Sequence, residues 1–186
     1  MKILYKTLYL DPPWLERGGG KIKRGADRHY PLMHTKDIIA MKPFIHSIME
    51  PNSHIYMWVT NNFLQDGFQV LKEWEYRYIT IITWIKEGKA GLGQYFRGTS
   101  EHCLFGVRGK LPYKIINNKR QQGVTSFVAP RGKHSEKPEK MREMIERVSY
   151  PPFVEIFARR KKNDDIFAEE NNLWTYIGNE ADGTKF

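Results

Sequence analysis

Apolar residues recur along this chain in short runs of two kinds, and their spacing predicts alternating strands and helices. Three runs have apolar residues at helical spacing, and they lie at 35–49, 61–74 and 137–148. Six others are dense in β-branched and aromatic residues and predict strands at 3–10, 54–60, 77–86, 102–107, 153–158 and 173–177. Together they predict an α/β fold with a mostly parallel sheet, helices on both faces, and an antiparallel pair within 77–107.

The chain is expected to form one domain over residues 1–186, since no internal repeat or linker divides it. Its apolar runs are shorter than the roughly 18 residues that a membrane-spanning helix needs. The first residues, MKILYKTLYL, have lysines inside the apolar run and predict a strand rather than a signal peptide. Cys103 is the only cysteine, so the sequence offers no disulfide framework. We therefore expect a cytoplasmic protein that does not associate with membranes.

Two segments lack periodicity and are predicted to be long loops, at 15–31 and 108–134. Both are rich in basic residues, and the first contains Lys21, Lys23 and Arg24. The whole chain has 30 Lys and Arg against 21 Asp and Glu, a formal net charge of +9. Such patches suit a polyanion, so we expect these loops to bind nucleic acid. A basic surface that is simply well solvated is the alternative.

The first predicted strand ends in the motif Asp11-Pro12-Pro13-Trp14. Proline lacks the N–H that a sheet needs, so the strand must stop at Asp11. Open α/β sheets bind their ligands at the carboxyl ends of strands. A carboxylate and a proline carbonyl there could accept both protons of an amino group, and Trp14 could stack on a heteroaromatic base. The motif therefore predicts a slot for a nucleobase amine, with an exposed aspartate after a terminated strand as the alternative.

Other polar residues are candidates for binding roles. Glu155 lies between Val154 and Ile156, and a carboxylate inside an apolar strand needs partners that ribose hydroxyls could provide. His102 is a candidate for substrate contact or for a hydrogen-bonded core position. The remaining histidines lack metal-ligand spacing, and we expect no metal. The glycine run 18–20 lacks the pattern of a phosphate-binding loop.

The ordered motifs resemble the MT-A70-like family of methyltransferases with a DPPW motif, over about residues 8 to 181. The matching segments are LYLDPPW, HYPLM, YMWVTNNF, TWIKEGKAGLGQYFRGTSEHCLFGVRG, HSEKPEKMREMIERVS, FVEIFARR and WTYIGNE. The resemblance implies a Rossmann-like methyltransferase sheet with permuted motif order, in which the catalytic motif precedes the cofactor strand. It also implies transfer of a methyl group from S-adenosylmethionine to the N(6) amine of adenine.

The resemblance also implies roles for individual residues. The catalytic motif comprises Asp11, Pro12, Pro13 and Trp14. Positions on the substrate side are Tyr30, Glu101 and His102. Positions near S-adenosylmethionine are Asp11, Lys137, Glu155, Arg159, Asn179 and Glu180, with Lys137 near the methionine carboxylate and the last four near the ribose and adenine.

The expected substrate is adenine in nucleic acid, with DNA favoured because compact members of this family are common in bacteria and their phages as DNA modifiers. Methylation of RNA is the first alternative. The second is a non-catalytic nucleic-acid-binding subunit of a methyltransferase heterodimer, which would carry a damaged catalytic motif, whereas residues 11–14 are intact. A homodimer or a heterodimer with a related subunit is compatible with either. We expect the cytoplasm of a prokaryote, or of the host of a phage, as the location.

Overall fold

A computed structural model describes residues 3–15, 32–91, 95–132, 136–158, 173–178 and 183–184 of the chain. Four α-helices are present within these ranges: α1 Thr35–Ala40, α2 Lys42–Ile48, α3 Leu64–Glu73 and α4 Glu139–Val148. The strands are β1 Tyr5–Leu10, β2 Met49–Val59, β3 Arg77–Lys86, β4 Ser100–Arg108, β5 Ile115–Ile116, β6 Lys119–Arg120, β7 Ser126–Ala129, β8 Phe153–Ile156 and β9 Trp174–Ile177.

Seven strands form one sheet in the order β7-β3-β4-β2-β1-β8-β9. β1 pairs in parallel with β2 and β8, β8 with β9, and β3 with β7. β4 runs antiparallel to both of its neighbours, β2 and β3. These pairings confirm the predicted α/β class, with a mostly parallel sheet and an antiparallel pair within 77–107.

The reversal at β4 brings distant parts of the chain to one edge of the sheet. β1, β2 and β8 end at this edge, and β3 ends there too because it runs antiparallel to β4, which begins there. We call it the carboxyl edge, and the opposite one the amino edge. Asp11, Lys86 and Ser100 therefore lie at the same edge although nearly ninety residues separate the first from the last. This is the edge at which open α/β sheets bind ligands.

Alternation along the strands divides the core into two layers. Leu8 and Leu10 of β1 face one cluster, which α1, α2 and α3 cover with apolar side chains. Tyr9 faces the other cluster, which α4 covers with Met141 and Ile145. Helices thus pack on both faces, as predicted. Cys103, at the middle of β4, is fully buried in the second cluster as a free thiol.

Some predicted helices begin or end at other residues. The predicted helix 35–49 is two helices, because Pro43 falls in the first turn of α2 and cannot continue a preceding helix. The predicted helix 61–74 opens with a 3-10 turn, Asn61–Phe63, before α3. In the part of the chain that the structure describes, no helix combines the length and apolar character needed to cross a bilayer.

The segment predicted as an irregular loop, 108–134, contains a hairpin and a strand of the main sheet, and the prediction is wrong for these two parts. β5 and β6 form a hairpin whose turn residues Asn117 and Asn118 have positive φ of 49° and 58°, as a tight hairpin turn requires. The hairpin follows the end of β4 and so lies at the amino edge, where the backbone N–H of Lys114 donates to the carbonyl of Val148. β7 then returns to the carboxyl edge as a strand of the main sheet.

Candidate active site

The turn after β1 is stiff and well bonded. The N–H of Trp14 donates to the carbonyl of Pro12 at 2.9 Å, which closes a tight turn around Pro13. The carbonyl of Pro13 accepts the N–H of Met33 at 2.7 Å. Both proline carbonyls therefore accept a backbone hydrogen bond. Each carbonyl oxygen has a second lone pair, so a further hydrogen bond is compatible with this arrangement.

Trp14 packs into the core, which does not support the predicted stacking of a base on this ring. Its side chain is 7% exposed and lies flat against Phe63, with ring centroids 5.4 Å apart. The indole N–H donates to the carbonyl of Trp58 at 3.1 Å. Trp14 thus anchors the turn that holds Asp11 and Pro12, and its effect on a substrate would be indirect.

Four charged side chains of alternating sign meet at the carboxyl edge. The ammonium of Lys137 lies 2.9 Å from Oδ2 of Asp11 and 3.1 Å from Oε2 of Glu101. The other carboxylate oxygen of Glu101 pairs with the ammonium of Lys86. All four side chains are mostly buried, between 15% and 23% exposed. We call these residues, Lys86, Glu101, Lys137 and Asp11, the charge chain.

Strand register explains why the charge chain forms. Trp84 of β3 pairs with Glu101 of β4, so both side chains point to the face that α4 covers, and Lys86 is two residues further along the same face. Asp11 is two residues after Tyr9, which faces α4 as well. Lys137 immediately precedes Pro138, the N-cap of α4. Lys86 was not among the predicted site residues: its spacing two residues after Trp84 places it on this face of β3, but its pairing with Glu101 depends on the strand register.

Opposite charges determine the protonation states within the charge chain. Burial alone would raise the pKa of Glu101, but Lys137 and Lys86 outweigh it and lower the pKa. Burial would likewise lower the pKa of Lys137, but Asp11 and Glu101 outweigh it and raise the pKa. Both groups are therefore charged at neutral pH, and the paired ammonium and carboxylates tolerate partial burial because they neutralise one another.

His102, adjacent to Glu101, belongs to a different set of contacts. Its ring nitrogens bond to Oγ1 of Thr83 at 3.0 Å and to Oδ1 of Asn61 at 2.7 Å. Burial lowers the pKa of His102, and Glu101 offsets this in part. The imidazole therefore has partners at both nitrogens, although the residue is only partly buried, and its contact with substrate stays a prediction.

Glu155, predicted to bind ribose, has a protein partner in Arg142 of α4. The guanidinium of Arg142 pairs with Oε2 of Glu155, donates to the hydroxyl of Tyr176 at 3.0 Å, and is only 7% exposed. It also lies 5.1 to 5.8 Å from the ring centres of Tyr9, Trp174 and Tyr176. Arg142 thus supplies the partner that a carboxylate in an apolar strand needs, and it is a second residue that the sequence reasoning missed.

Two of the described side chains, one cationic and one anionic, are suited to bind S-adenosylmethionine. Lys137 offers a cation for the carboxylate of the cofactor, and Glu155 lies at the carboxyl end of β8, where ribose hydroxyls are commonly bound. Each carboxylate oxygen accepts more than one hydrogen bond, so the pairing with Arg142 is compatible with that role. An open pocket of about 480 Å³ adjoins Lys137, lined by 128–132 and 136–140.

The remaining predicted site residues lie outside the described residues. They are Tyr30, Lys21, Lys23, Arg24, Arg159, Asn179 and Glu180. Among the residues that the structure does describe, no group of three or more His, Cys, Asp or Glu side chains is arranged to hold a metal ion.

Comparison with protein families gives one match that covers nearly all of the chain. The model of the family described as MT-A70 matches residues 5–180. The matched range contains the four members of the charge chain together with Arg142 and Glu155. The family predicted from the sequence motifs and the family found by comparison are the same.

Curated relatives share about a quarter of their residues with this chain. A protein from Oryza sativa subsp. japonica named "Probable N(6)-adenosine-methyltransferase MT-A70-like" is 24% identical over 192 residues, covering 97% of this chain and 24% of its own. The human "N(6)-adenosine-methyltransferase catalytic subunit METTL3" is 26% identical, with 96% and 28% covered. "N6-adenosine-methyltransferase non-catalytic subunit MTB" of Arabidopsis thaliana is 29% identical over 116 residues, with 56% and 14% covered. The chain thus spans about a quarter of the length of the first two.

Proposed function

Because this chain belongs to the MT-A70 family, we propose that it transfers a methyl group from S-adenosylmethionine to the N(6) amine of adenine in nucleic acid. One observation carries the proposal: the carboxylates of Asp11 and Glu101 converge at the carboxyl edge. Both lie about 3 Å from the same nitrogen, the ammonium of Lys137. An amine needs acceptors placed in this way. The names of two of the relatives, which specify N(6)-adenosine, support the same reaction.

The two carboxylates suit the chemistry of a nucleobase amine. The amine is a poor nucleophile because its lone pair is delocalised into the ring, so orientation accounts for much of the catalysis. S-adenosylmethionine supplies an electrophilic methyl carbon on a sulfonium. As the amine nitrogen bonds to that carbon it gains positive charge, and the C–S electron pair stays on sulfur. Asp11 and Glu101 would stabilise this charge and accept the proton that leaves.

The position of Lys137 supports this assignment. Its ammonium is a positively charged nitrogen held between the same two carboxylates, at 2.9 and 3.1 Å. A pair of carboxylates that accommodates an ammonium is suited to a nitrogen that becomes cationic during the reaction. Lys137 would then bind the carboxylate of S-adenosylmethionine, with Glu155, Arg159, Asn179 and Glu180 at its ribose and adenine.

Substrate binding is proposed from charge and from the family motifs. The basic residues Lys21, Lys23 and Arg24 and the aromatic Tyr30 lie 7 to 16 positions after Trp14, the last residue of the catalytic motif. In a duplex the target base must leave the stack to reach Asp11. We propose DNA as the polymer, on the ground that compact members of this family are common as DNA modifiers, and RNA is the alternative that the word adenosine in the relatives' names supports. Paired assays on DNA and RNA oligonucleotides of one sequence distinguish them.

Asp11→Ala tests the proposed reaction. The change removes a carboxylate from the amine-binding pair, and we expect transfer of labelled methyl to oligonucleotides to fall at least a hundredfold, as for loss of a preorganised electrostatic group. Glu75→Ala is the matched control, since Glu75 is an ion-paired carboxylate on the surface. Near-normal transfer by Asp11→Ala, with the control also active, would contradict the proposal.

A non-catalytic subunit of a heterodimer is the second candidate, favoured by the similarity to the Arabidopsis subunit. In that case the chain alone would bind nucleic acid and transfer no methyl group. Adding a catalytic partner would give activity that Asp11→Ala leaves unchanged. The intact residues 11–14 favour the enzyme. A dimeric partner and a cytoplasmic location stay predictions, which sedimentation and fractionation of the native source would test.

A further inference from the structure

Glu101 is shared by two lysines that play different parts in the charge chain. Oε2 of Glu101 lies 3.1 Å from Lys137, which also binds Asp11, whereas Oε1 pairs with Lys86. Lys86 therefore contacts only one of the two carboxylates that would bind the amine, and it does so through the oxygen that Lys137 does not contact. Nothing in the proposed reaction so far uses it.

The proposed role of Lys137 leaves Glu101 in need of a second cation. If the ammonium of Lys137 moves to bind the carboxylate of S-adenosylmethionine, its ion pairs with Glu101 and Asp11 weaken. Glu101 is 17% exposed, and a mostly buried carboxylate without a cation is costly to keep charged. A neutral or displaced Glu101 would be a poor acceptor for an amine proton.

We propose that Lys86 is a positioning residue, which keeps Glu101 charged and directed at the amine while Lys137 holds the cofactor. The inference rests on the proposed function and deepens it. Lys86 is well placed for this task because the backbone fixes it: its N–H donates to the carbonyl of Thr99 at 2.8 Å, at the last pairing between β3 and β4. Its ammonium also lies 4.9 Å from the ring centre of Trp84.

The charged groups around Glu101 determine the sign of the expected effect. They are Lys86 from β3, Lys137 ahead of α4, Asp11 after β1, and His102 beside it on β4. Burial raises the pKa of Glu101, and the two lysines together lower it. Removing Lys86 raises that pKa, so Glu101 takes up a proton at higher pH and activity is lost earlier on acidification.

The test compares pH profiles of methyl transfer for the wild type, Lys86→Met and Lys86→Arg. Lys86→Met keeps the length of the side chain without its charge, and we expect kcat at pH 7 to fall roughly ten- to a hundredfold, typical of a hydrogen bond to a charged group. The loss of activity on the acidic side of its pH profile, the acid limb, should occur at higher pH than in the wild type. Part of the lost kcat should return in alkaline buffer. Lys86→Arg should restore the wild-type limb, and affinity for S-adenosylhomocysteine should be unchanged in both variants.

Lys42→Met is the matched control, because Lys42 pairs with Glu75 at 2.8 Å on the surface. It should leave the profile unchanged. Two results would overturn the inference: a Lys86→Met profile that coincides with the wild type, or a loss of kcat that is equal at every pH and is not restored by arginine. If the folded wild type transfers no methyl group to any nucleic acid, the proposed function fails first.

Thermal unfolding checks that the variants are folded before rates are compared. If Lys86→Met does not fold, Lys86→Gln replaces it, since an amide still donates a hydrogen bond but carries no charge. The glutamine variant should show the same direction of shift in the acid limb. A wild-type acid limb in this variant overturns the inference in the same way.

Discussion

Lys137 is the residue on which both halves of the candidate site depend. It joins Asp11 to Glu101 in the structure, and its proposed role is to bind the carboxylate of S-adenosylmethionine. Its ammonium also lies 5.4 Å from the ring centre of Trp58, a further contact that favours the charged form. Asp11, Glu101 and Lys137 could be predicted from the sequence, because each lies in a motif with a fixed place relative to a strand end or a helix start.

Lys86 and Arg142 could not be predicted in the same way. Each acts through a partner that only the folded sheet supplies: Glu101 across the β3–β4 pair, and Glu155 across the packing of α4 on β8. Sequence spacing places a residue on a face, but pairing between faces depends on register and on the helix position. For the same reason the sequence suggested a stacking role for Trp14 that packing against Phe63 does not support.

Substitutions at the cofactor residues are expected to weaken binding of S-adenosylmethionine. Lys137→Ala, Glu155→Ala and Asn179→Ala each remove a charged or polar contact and should raise Kd roughly ten- to a hundredfold. Isothermal calorimetry measures this directly. Arg147→Ala, an exposed cation in the last turn of α4, is the control and should leave Kd unchanged. Unaltered affinity in all three variants would refute the assigned cofactor site.

At the scale of elements, two strand ends approach each other closely on the side of the sheet where we propose that the cofactor binds. β8 and β9 end side by side, and the N–H of Ala158 donates to the carbonyl of Ile177 at 3.1 Å. A side chain on Gly178 would place its Cβ 2.6 Å from the carbonyl oxygen of Ala158 and 2.8 Å from its nitrogen. Glycine is therefore required here, because backbone atoms cannot move aside as a flexible side chain could.

Gly178→Ala is expected to destabilise the protein. The added methyl group would force β8 and β9 apart at their ends, and overpacking of this kind costs about 1–3 kcal/mol. Denaturant titration measures the free energy of unfolding. Gly98→Ala is the control, since a Cβ there meets no atom within 4 Å. Equal stability of the two variants would show that the strand ends adjust without cost.

Elements were predicted well wherever hydrophobic periodicity was strong. The bounds of β3 agree with the prediction, and β1, β4, β8 and β9 were each located to within two residues at either end. The strands within 108–134 were not predicted, because the hairpin is short and exposed and has little apolar pattern to indicate strands. Asn117-Asn118 was a usable turn signal, as asparagine tolerates positive φ.

At the scale of the whole molecule, the sheet separates the basic hairpin from the charge chain. The hairpin with Lys119 and Arg120 lies at the amino edge, while the charge chain lies at the carboxyl edge. Glu101 is the second residue of β4 and Arg108 is the last. At the usual rise per residue, their Cα atoms lie roughly 23 Å apart. The hairpin part of 108–134 is therefore poorly placed to contact phosphates beside the target base, and the binding of nucleic acid by this segment stays a prediction.

The prediction that Lys21, Lys23 and Arg24 contact phosphates has a consequence for the salt dependence of binding. Replacing Lys21, Lys23 and Arg24 by glutamine should make the log–log salt slope of binding shallower by about 0.9 per lost phosphate contact on duplex DNA, or about 0.7 on single strands. Binding to all sequences should weaken alike, since phosphates carry no sequence information. Fluorescence anisotropy across a salt series measures both effects.

The charge-matched control for that experiment replaces Lys110, Lys119 and Arg120, which lie at the amino edge. With oligonucleotides too short to reach across the sheet, this variant should keep the wild-type slope. Equal flattening by both triple variants would mean that the slope reports net charge rather than contacts near the site.

The burial of Cys103 gives the chain a built-in reporter of its own opening. It is the only cysteine, it lies at the centre of the sheet, and burial raises the pKa of its thiol well above the usual value. An alkylating reagent can therefore modify the folded chain only when β4 separates from its neighbours, so the modification rate counts those events. A ligand that binds the closed form slows the reaction by the factor 1 + [L]/Kd when opening is at equilibrium. Mass spectrometry of the unaltered protein could thus rank candidate cofactors without a label or an activity assay.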